Sequence, residues 1–179
     1  TPYENLFLMP SSPVLSDMEK ELESRYKIYK LRDALDKLAE EYDRVYIDTP
    51  PNFNFYSKSA LIAADSVLIP FDCDSFARQS LYSLMDNIAE LQEDHNPDLE
   101  VEGIVINQFN SQARLPTELV DELQEEGFPV LAAYLNTSVK MKESHREHRP
   151  LIDLAPSHKL TGQFLELHAE LEAGLAQNR

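Results

Sequence analysis

The chain has 179 residues, 42% of them hydrophobic, and this length and composition fit one globular domain with a sizeable buried core. Its formal net charge of −16 argues against a protein whose whole surface binds nucleic acid. One cysteine permits neither an internal disulfide nor a cysteine-based metal site, and no apolar run is long enough to span a membrane.

In chain order, short apolar runs alternate with longer amphipathic stretches, which is the pattern of parallel strands joined by helices. The amphipathic stretches predict helices at residues 15–41, 57–64, 77–93, 116–126 and 159–175. The apolar runs predict strands at residues 6–9, 45–47, 67–69, 101–106 and 130–135. The predicted fold class is therefore α/β, a doubly wound and mostly parallel sheet flanked by helices. Ligands bind such sheets at the carboxyl ends of the strands, so the residues after each run are the candidates for chemistry.

The strand predicted at residues 45–47 is followed by Asp48, Thr49, Pro50 and Pro51. A carboxylate at the end of a buried parallel strand is where P-loop NTPases hold Mg²⁺. The two prolines favour a stiff, extended segment that cannot be helical, which suits a loop that senses a γ-phosphate. The alternative is an ordinary strand-end aspartate that caps the following turn.

Glycine occurs only four times, at widely separated positions. A phosphate-binding loop of the form GxxxxGK[ST] therefore cannot be written anywhere in this sequence.

Several segments resemble the ParA/Soj-type partition ATPases, which are SIMIBI-class P-loop proteins with a deviant Walker A motif. Residues 42–51, together with residues 59–70, resemble the Walker B and switch II region of that family. Residues 5–11 resemble the strand and Pro-Ser turn after switch I, and residues 103–107 resemble a core strand. Residues 135–152 resemble the segment that crosses the nucleotide base region, so the resemblance covers essentially the whole chain.

The resemblance implies that residues 1–179 are the C-terminal portion of a single ParA-like α/β domain. The first βα unit, with the P-loop, would precede Thr1. The full-length protein would bind ATP and Mg²⁺ and hydrolyse ATP, whereas the chain as given is expected to be inactive. Asn54 stands where the family usually has a glycine after the two prolines, which puts the flexibility of switch II in question.

Site residues follow from the resemblance by position. Asp48 would hold Mg²⁺ through water, and Thr49 and Pro50 would belong to switch II. Asn107, at a strand end, would face the adenine, because its amide both donates and accepts hydrogen bonds; a turn-forming asparagine is the alternative. The segment passing beside the base would contain Asn136, Thr137 and Ser138.

Residues 140–149 carry a local excess of basic side chains on an acidic chain. In the ParA-type family this region contributes to a non-specific DNA-binding surface, and lysine and arginine contacts to phosphates need no sequence readout. A solvated helix and loop face is the alternative. The predicted DNA-binding residues are Lys140, Lys142, Arg146 and Arg149.

The predicted function is a partition ATPase of plasmid or chromosome segregation, cytoplasmic and nucleoid-associated. It would form a homodimer with ATP, bind non-specific DNA and be stimulated by a ParB-like protein. One alternative is a truncated, non-catalytic ParA-like regulatory or interaction module. Another is a MinD-like membrane-cycling ATPase, which is disfavoured because the closing helix is acidic where binding to anionic lipid needs basic residues. No membrane partner is therefore expected.

Overall fold

A computed structural model describes residues 1–73 and 77–177. Two strands are present among these residues, β1 (Ser66–Asp72) and β2 (Glu100–Asn107). None of the helices in these two ranges is long and apolar enough to cross a membrane. The helices are α1 (Val14–Ser24), α2 (Lys30–Leu35), α3 (Phe55–Ala63), α4 (Ala77–Asp94), α5 (Arg114–Glu125), α6 (Val139–Glu147), α7 (Leu151–Leu154) and α8 (Lys159–Gln177).

The two strands pair in parallel and are joined by α4, which makes a βαβ unit. Alternate residues of the strands face two apolar clusters. One cluster packs Ile69, Ile104 and Ile106 against α3, α4 and α5. The other packs Val105 against α7 and α8. Because side chains alternate between the faces of a strand, helices cover both faces of the sheet, and the doubly wound α/β class is confirmed.

The strands predicted at residues 6–9 and 45–47 do not form, and those two predictions are wrong. Both runs are irregular and largely exposed, with 89% of Met9 and 82% of Tyr46 accessible to solvent. A strand exists only when its backbone pairs with a neighbour, because extended backbone has no hydrogen bonds of its own. Neither run has a ladder partner within the described ranges.

The strand predicted at residues 130–135 is reduced to isolated bridges. Val130 forms a parallel bridge with Ile104 of β2, so the segment does lie beside β2. Further along, the backbone N–H groups of Ala132 and Ala133 donate to the carboxylate of Glu170 in α8, at 2.8 and 3.0 Å. A side chain of α8 therefore satisfies donors that a regular strand would direct to a neighbouring strand.

The long helix predicted at residues 15–41 is broken into α1 and α2. Tyr26 adopts a left-handed conformation with φ of 53°. The N–H of Lys27 then reaches the carbonyl of Leu22 at 3.1 Å, and the N–H of Tyr26 reaches that of Glu23 at 3.0 Å. This is a Schellman motif, which ends a helix by satisfying its last carbonyls. The other four predicted helices are confirmed as α3, α4, α5 and α8.

Candidate functional site

The candidate site lies at the carboxyl edge of the sheet. β1 and β2 end opposite each other, with Asp72 in register with Asn107. The segment at residues 130–135 ends beside them, because Phe109 and Asn136 form a parallel bridge. Three strand-like segments therefore present polar side chains at one edge, which is where doubly wound sheets bind ligands.

Asp72 connects the side chains of two neighbouring residues at this edge. Its Oδ1 accepts a hydrogen bond from Nδ2 of Asn107 at 2.9 Å, and its Oδ2 accepts one from Nε2 of Gln108 at 2.6 Å. Gln108 has φ of 51°, a left-handed conformation that is uncommon outside glycine. Strained backbone that is held by its surroundings is typical of functional sites.

The three residues predicted to pass beside a base, 136–138, lie in the turn that leads into α6. Asn136 forms two hydrogen bonds with the side-chain amide of Gln163 in α8: the backbone N–H of Asn136 donates to Oε1 at 3.1 Å, and its side-chain Oδ1 accepts from Nε2. Thr137 donates from Oγ1 to the carbonyl of Gln108 at 3.2 Å. Ser138 is the N-cap of α6. These residues therefore join the edge that holds Asn107.

Asp48, Thr49 and Pro50 lie in an exposed loop that leads into α3. The hydroxyl of Ser57, near the start of α3, donates to the carbonyl of Asn52 at 2.5 Å, and the carbonyl of Pro50 lies farther away, at 3.4 Å. The described ladder contains none of residues 45–47, so it does not tie Asp48 to the sheet edge. The structure thus brings the predicted base-binding residues together, whereas no described ladder pairing joins the predicted metal-binding loop to them.

The start of α3 is capped by two side chains. Oδ1 of Asn54 accepts hydrogen bonds from the N–H groups of Tyr56 and Ser57, each at 3.1 Å. Oε1 of Glu19, from α1, accepts from the N–H of Phe55 at 3.2 Å. Since the free N–H groups of a first turn are satisfied in this way, the loop is anchored at its helical end.

The predicted basic patch is divided between two sides of α6 and the turn after it. Lys142 and Arg146 are one turn apart, so they share an exposed face of the helix. Lys140 points to another side, where its Nζ lies 2.6 Å from Glu143. Arg149 follows the helix and donates to a backbone carbonyl of α7 at 3.2 Å. Arg146, whose guanidinium lies 3.9 Å from the carboxylate of Glu147, and Lys142 therefore form the exposed face of the predicted patch.

A cavity of about 870 Å³ lies between α6, α7 and α8. Apolar side chains of these helices and the ring of Tyr46 line it, together with His145, His148 and His168. Within the described ranges, no three His, Cys, Asp or Glu side chains lie close enough to hold a metal ion, so the histidines do not form a metal centre.

Asp72, Gln108 and Gln163 belong to the site but were not predicted from the sequence. The sequence predicts a strand at residues 67–69, whereas β1 continues to Asp72. A strand predicted to end three residues later would have placed this carboxylate at the strand end. Gln163 comes from a helix distant in sequence, and no local pattern indicates its pairing with Asn136.

These observations first define a class of protein: a doubly wound α/β domain with polar residues gathered at the carboxyl edge of its sheet. Comparisons with known proteins then give the family. Residues 1–101 match the profile of a family described as an AAA domain. The chain is 35% identical over 170 residues to the chromosome partitioning protein ParA of Myxococcus xanthus, covering 93% of this chain and 59% of that protein. It is 27% identical over 175 residues to the sporulation initiation inhibitor protein Soj of Bacillus subtilis, covering 97% of this chain and 69% of that protein. The chain belongs to the ParA/Soj-type family of SIMIBI partition ATPases.

Solved structures support the same fold. McdA of Cyanothece in complex with ATP has a TM-score of 0.83 at 22% identity, covering 98% of this chain and 68% of that one. Cobyrinic acid a,c-diamide synthase of Mycobacterium smegmatis, with a bound ATP analogue and magnesium, has a TM-score of 0.68 at 24% identity, covering 79% and 64%. At these identities the likeness shows the fold. The chain spans less than two thirds of the length of the Myxococcus protein.

Proposed function

We propose that the protein is part of an ATP-dependent DNA partition system, and that the intact gene product binds ATP with Mg²⁺ and hydrolyses it. The observation that carries the proposal is the assembly of Asn107, Asn136, Thr137 and Ser138 at one sheet edge in a ParA-type chain. In this proposal Asn107 reads the edge of the adenine, and the turn at residues 136–138 forms one side of the base pocket.

Asp48 fits Mg²⁺ as one partner of a metal–nucleotide complex. Mg²⁺ keeps several waters and is usually bound through one or two carboxylates plus phosphate oxygens. The carboxylate of Asp48 is exposed and can meet a hydrated ion, whereas a cluster able to hold a metal unaided is absent from the described ranges. When bound, the ion would neutralise phosphate charge, while Thr49 and Pro50 would form the loop that follows the state of the nucleotide.

The cavity beside Tyr46 supports the view that the intact product carries a further structural unit. Tyr46 and the face of α8 with Phe164 and Leu165 are exposed, although aromatic and leucine side chains are usually covered. A βα unit with the P-loop would pair with the run at residues 45–47 and place its helix against α8. The chain by itself is expected not to hydrolyse ATP, since it contains no Gly-rich lysine loop.

The remaining parts of the proposal concern assembly. With ATP bound, the intact product would form a homodimer and bind DNA without sequence preference, and a ParB-like protein would stimulate hydrolysis and reset it. Nucleotide state would then act as a switch on DNA affinity. Lys142 and Arg146 would contact phosphates, with Lys140 and Arg149 at the margin of the surface.

The second candidate function is a non-catalytic ParA-like module that binds a partner or competes for dimerisation. The glycine count favours it, because four separated glycines do not provide a phosphate loop within residues 1–179. The two proposals differ in ATP-dependent behaviour, which the following experiment measures.

The test is DNA retention by the intact gene product at low salt, with and without ATP and Mg²⁺. We expect ATP to raise retention and Asp48→Ala to abolish the increase. Glu40→Ala, which also removes one exposed carboxylate, is the matched control and is expected to behave as wild type. If ATP does not change retention, the partition proposal fails and the non-catalytic module gains.

The DNA surface is tested by reversing charge on α6. Lys142→Glu combined with Arg146→Glu is expected to weaken DNA retention and to reduce its salt dependence. Lys20→Glu combined with Lys37→Glu makes the same net charge change at exposed positions elsewhere. Equal losses in the two double variants would show that net charge, rather than a surface on α6, governs retention.

A further inference from the structure

The geometry points to Asp72 as a positioning residue that orients the amide of Asn107 for a purine carrying a 6-amino group. The inference rests on the proposed nucleotide function. In this inference Asp72 influences which base is bound by orienting Asn107, and Asp72 itself does not need to contact the base.

The orientation of the Asn107 amide follows from the chemistry of its partner. A carboxylate only accepts hydrogen bonds, so the group that faces Asp72 must be the NH₂ of Asn107, which lies 2.9 Å from Oδ1. The reversed amide would place two acceptor oxygens against each other. Asp72 therefore fixes which end of Asn107 is turned toward the open side of the sheet edge.

The fixed amide offers a defined pattern to a ligand. Its carbonyl oxygen and second N–H remain, and together they are one acceptor and one donor. Adenine presents the complementary pair, because its 6-amino group donates and its N7 accepts. A 6-oxo purine presents two acceptors at the same positions, so its oxygen would face the oxygen of Asn107. A site that holds its polar groups in fixed orientation rejects a mismatched ligand strongly, because a group is left unpaired.

Asp72 is itself held in place. It is half-buried at the last position of β1, in register with Asn107, and its other oxygen accepts from Gln108 at 2.6 Å. The unusual φ of Gln108 turns its side chain back toward Asp72 while its carbonyl accepts from Thr137. Hydrogen bonds to an ionised group are shorter and stronger than neutral ones, so this arrangement suits a role in preorganising the site.

The experiment compares ATP with inosine triphosphate, which differs by a 6-oxo group in place of the 6-amino group. Dissociation constants are measured for the intact gene product with Mg²⁺, and inorganic tripolyphosphate is the probe for phosphate binding alone. We expect the wild type to prefer ATP and Asp72→Leu to reduce that preference by about tenfold or more, the scale of one hydrogen bond to a charged group. Tripolyphosphate affinity is expected not to change.

The control is Ser66→Ala, which removes a side-chain hydrogen bond between the same two strands, from Ser66 to Glu102 at 2.9 Å, at their other end. It is expected to keep the full preference for ATP. If Asp72→Leu does not fold, Asp72→Ser is measured in its place. An unchanged preference in the Asp72 variant overturns this inference alone, whereas a wild type that does not bind ATP overturns the proposed function as well.

Discussion

Asn54 begins α3 by accepting two backbone hydrogen bonds at its side-chain oxygen, each 3.1 Å long. Replacement by alanine leaves these N–H groups to water or unpaired, so Asn54→Ala is expected to lower the free energy of unfolding by about 1 kcal/mol. Urea denaturation measures the change. Asn54→Ser, which retains a capping oxygen, is the control, and an equal loss in both variants would contradict the capping role.

Glu143 and Lys140 form an exposed pair on α6, and the hydrogen bond from Lys140 holds the pKa of Glu143 below its ordinary value of 4.5. A lowered carboxyl pKa in the folded state means that the pair stabilises fully above the unfolded value. That contribution is lost as the pH falls through the lowered, folded value. We expect Lys140→Met to raise the pKa of Glu143, as measured by NMR titration.

Lys142→Met is the control for this titration, because Lys142 lies on another side of α6. It is expected to leave the pKa of Glu143 near the wild-type value. A pKa that rises equally in both variants would indicate a general field of the basic residues rather than a specific pair.

At the scale of elements, Gly103 fixes how closely β2 approaches the segment at residues 130–135. A Cβ added at Gly103 would lie 2.6 Å from two side-chain carbons of Leu131, which is far inside contact distance. Gly103→Ala is therefore expected to destabilise the fold by about 1–3 kcal/mol, the range for overpacked cores. Thermal and urea unfolding measure the change.

Gly174 provides the matched comparison, because it lies in α8 and a Cβ there meets no atom within 4 Å. Gly174→Ala is expected to stabilise by about 0.5–1 kcal/mol, since alanine restricts the unfolded chain and favours helix. A Gly103→Ala variant as stable as wild type would show that Leu131 can move aside without cost.

How much of the fold could be predicted depends on whether an element makes its hydrogen bonds locally or with a distant segment. Helices such as α4 and α8 make their hydrogen bonds locally, so amphipathic sequence is sufficient to locate them. Strands depend on partners, and the runs at residues 6–9 and 45–47 look alike in sequence to those that form β1 and β2. Left-handed residues such as Tyr26 also escape prediction, because a non-glycine residue seldom takes that conformation.

The candidate site was predicted where a strand end could be located. Asn107 and residues 136–138 follow apolar runs, and the structure gathers them at one edge. Asp72 was missed because the strand predicted at residues 67–69 is three residues shorter at its carboxyl end than β1. The pairing of Gln163 with Asn136 joins residues 27 positions apart, and it follows only from the packing of α8.

For the whole molecule, burial divides the chain unevenly. No residue from 1 to 54 is buried, although the structure describes all of them, whereas all the buried residues of both apolar clusters lie beyond that point. Backbone that is neither paired nor buried opens at little cost in free energy, and core strands open only with global unfolding. The 179-residue chain is therefore expected to show its slowest hydrogen exchange in β2, around Ile104 and Ile106, which are fully buried.

The runs at residues 6–9 and 45–47 are expected to exchange close to the rate of unprotected amides, as measured by mass spectrometry of labelled peptides. The intact gene product supplies the comparison. If a preceding βα unit pairs with residues 45–47 there, as proposed, their amides become protected while those of β2 stay slow in both proteins. Equal protection of residues 45–47 and β2 in the 179-residue chain alone would contradict this account, because it would require a ladder partner that residues 1–73 and 77–177 do not provide.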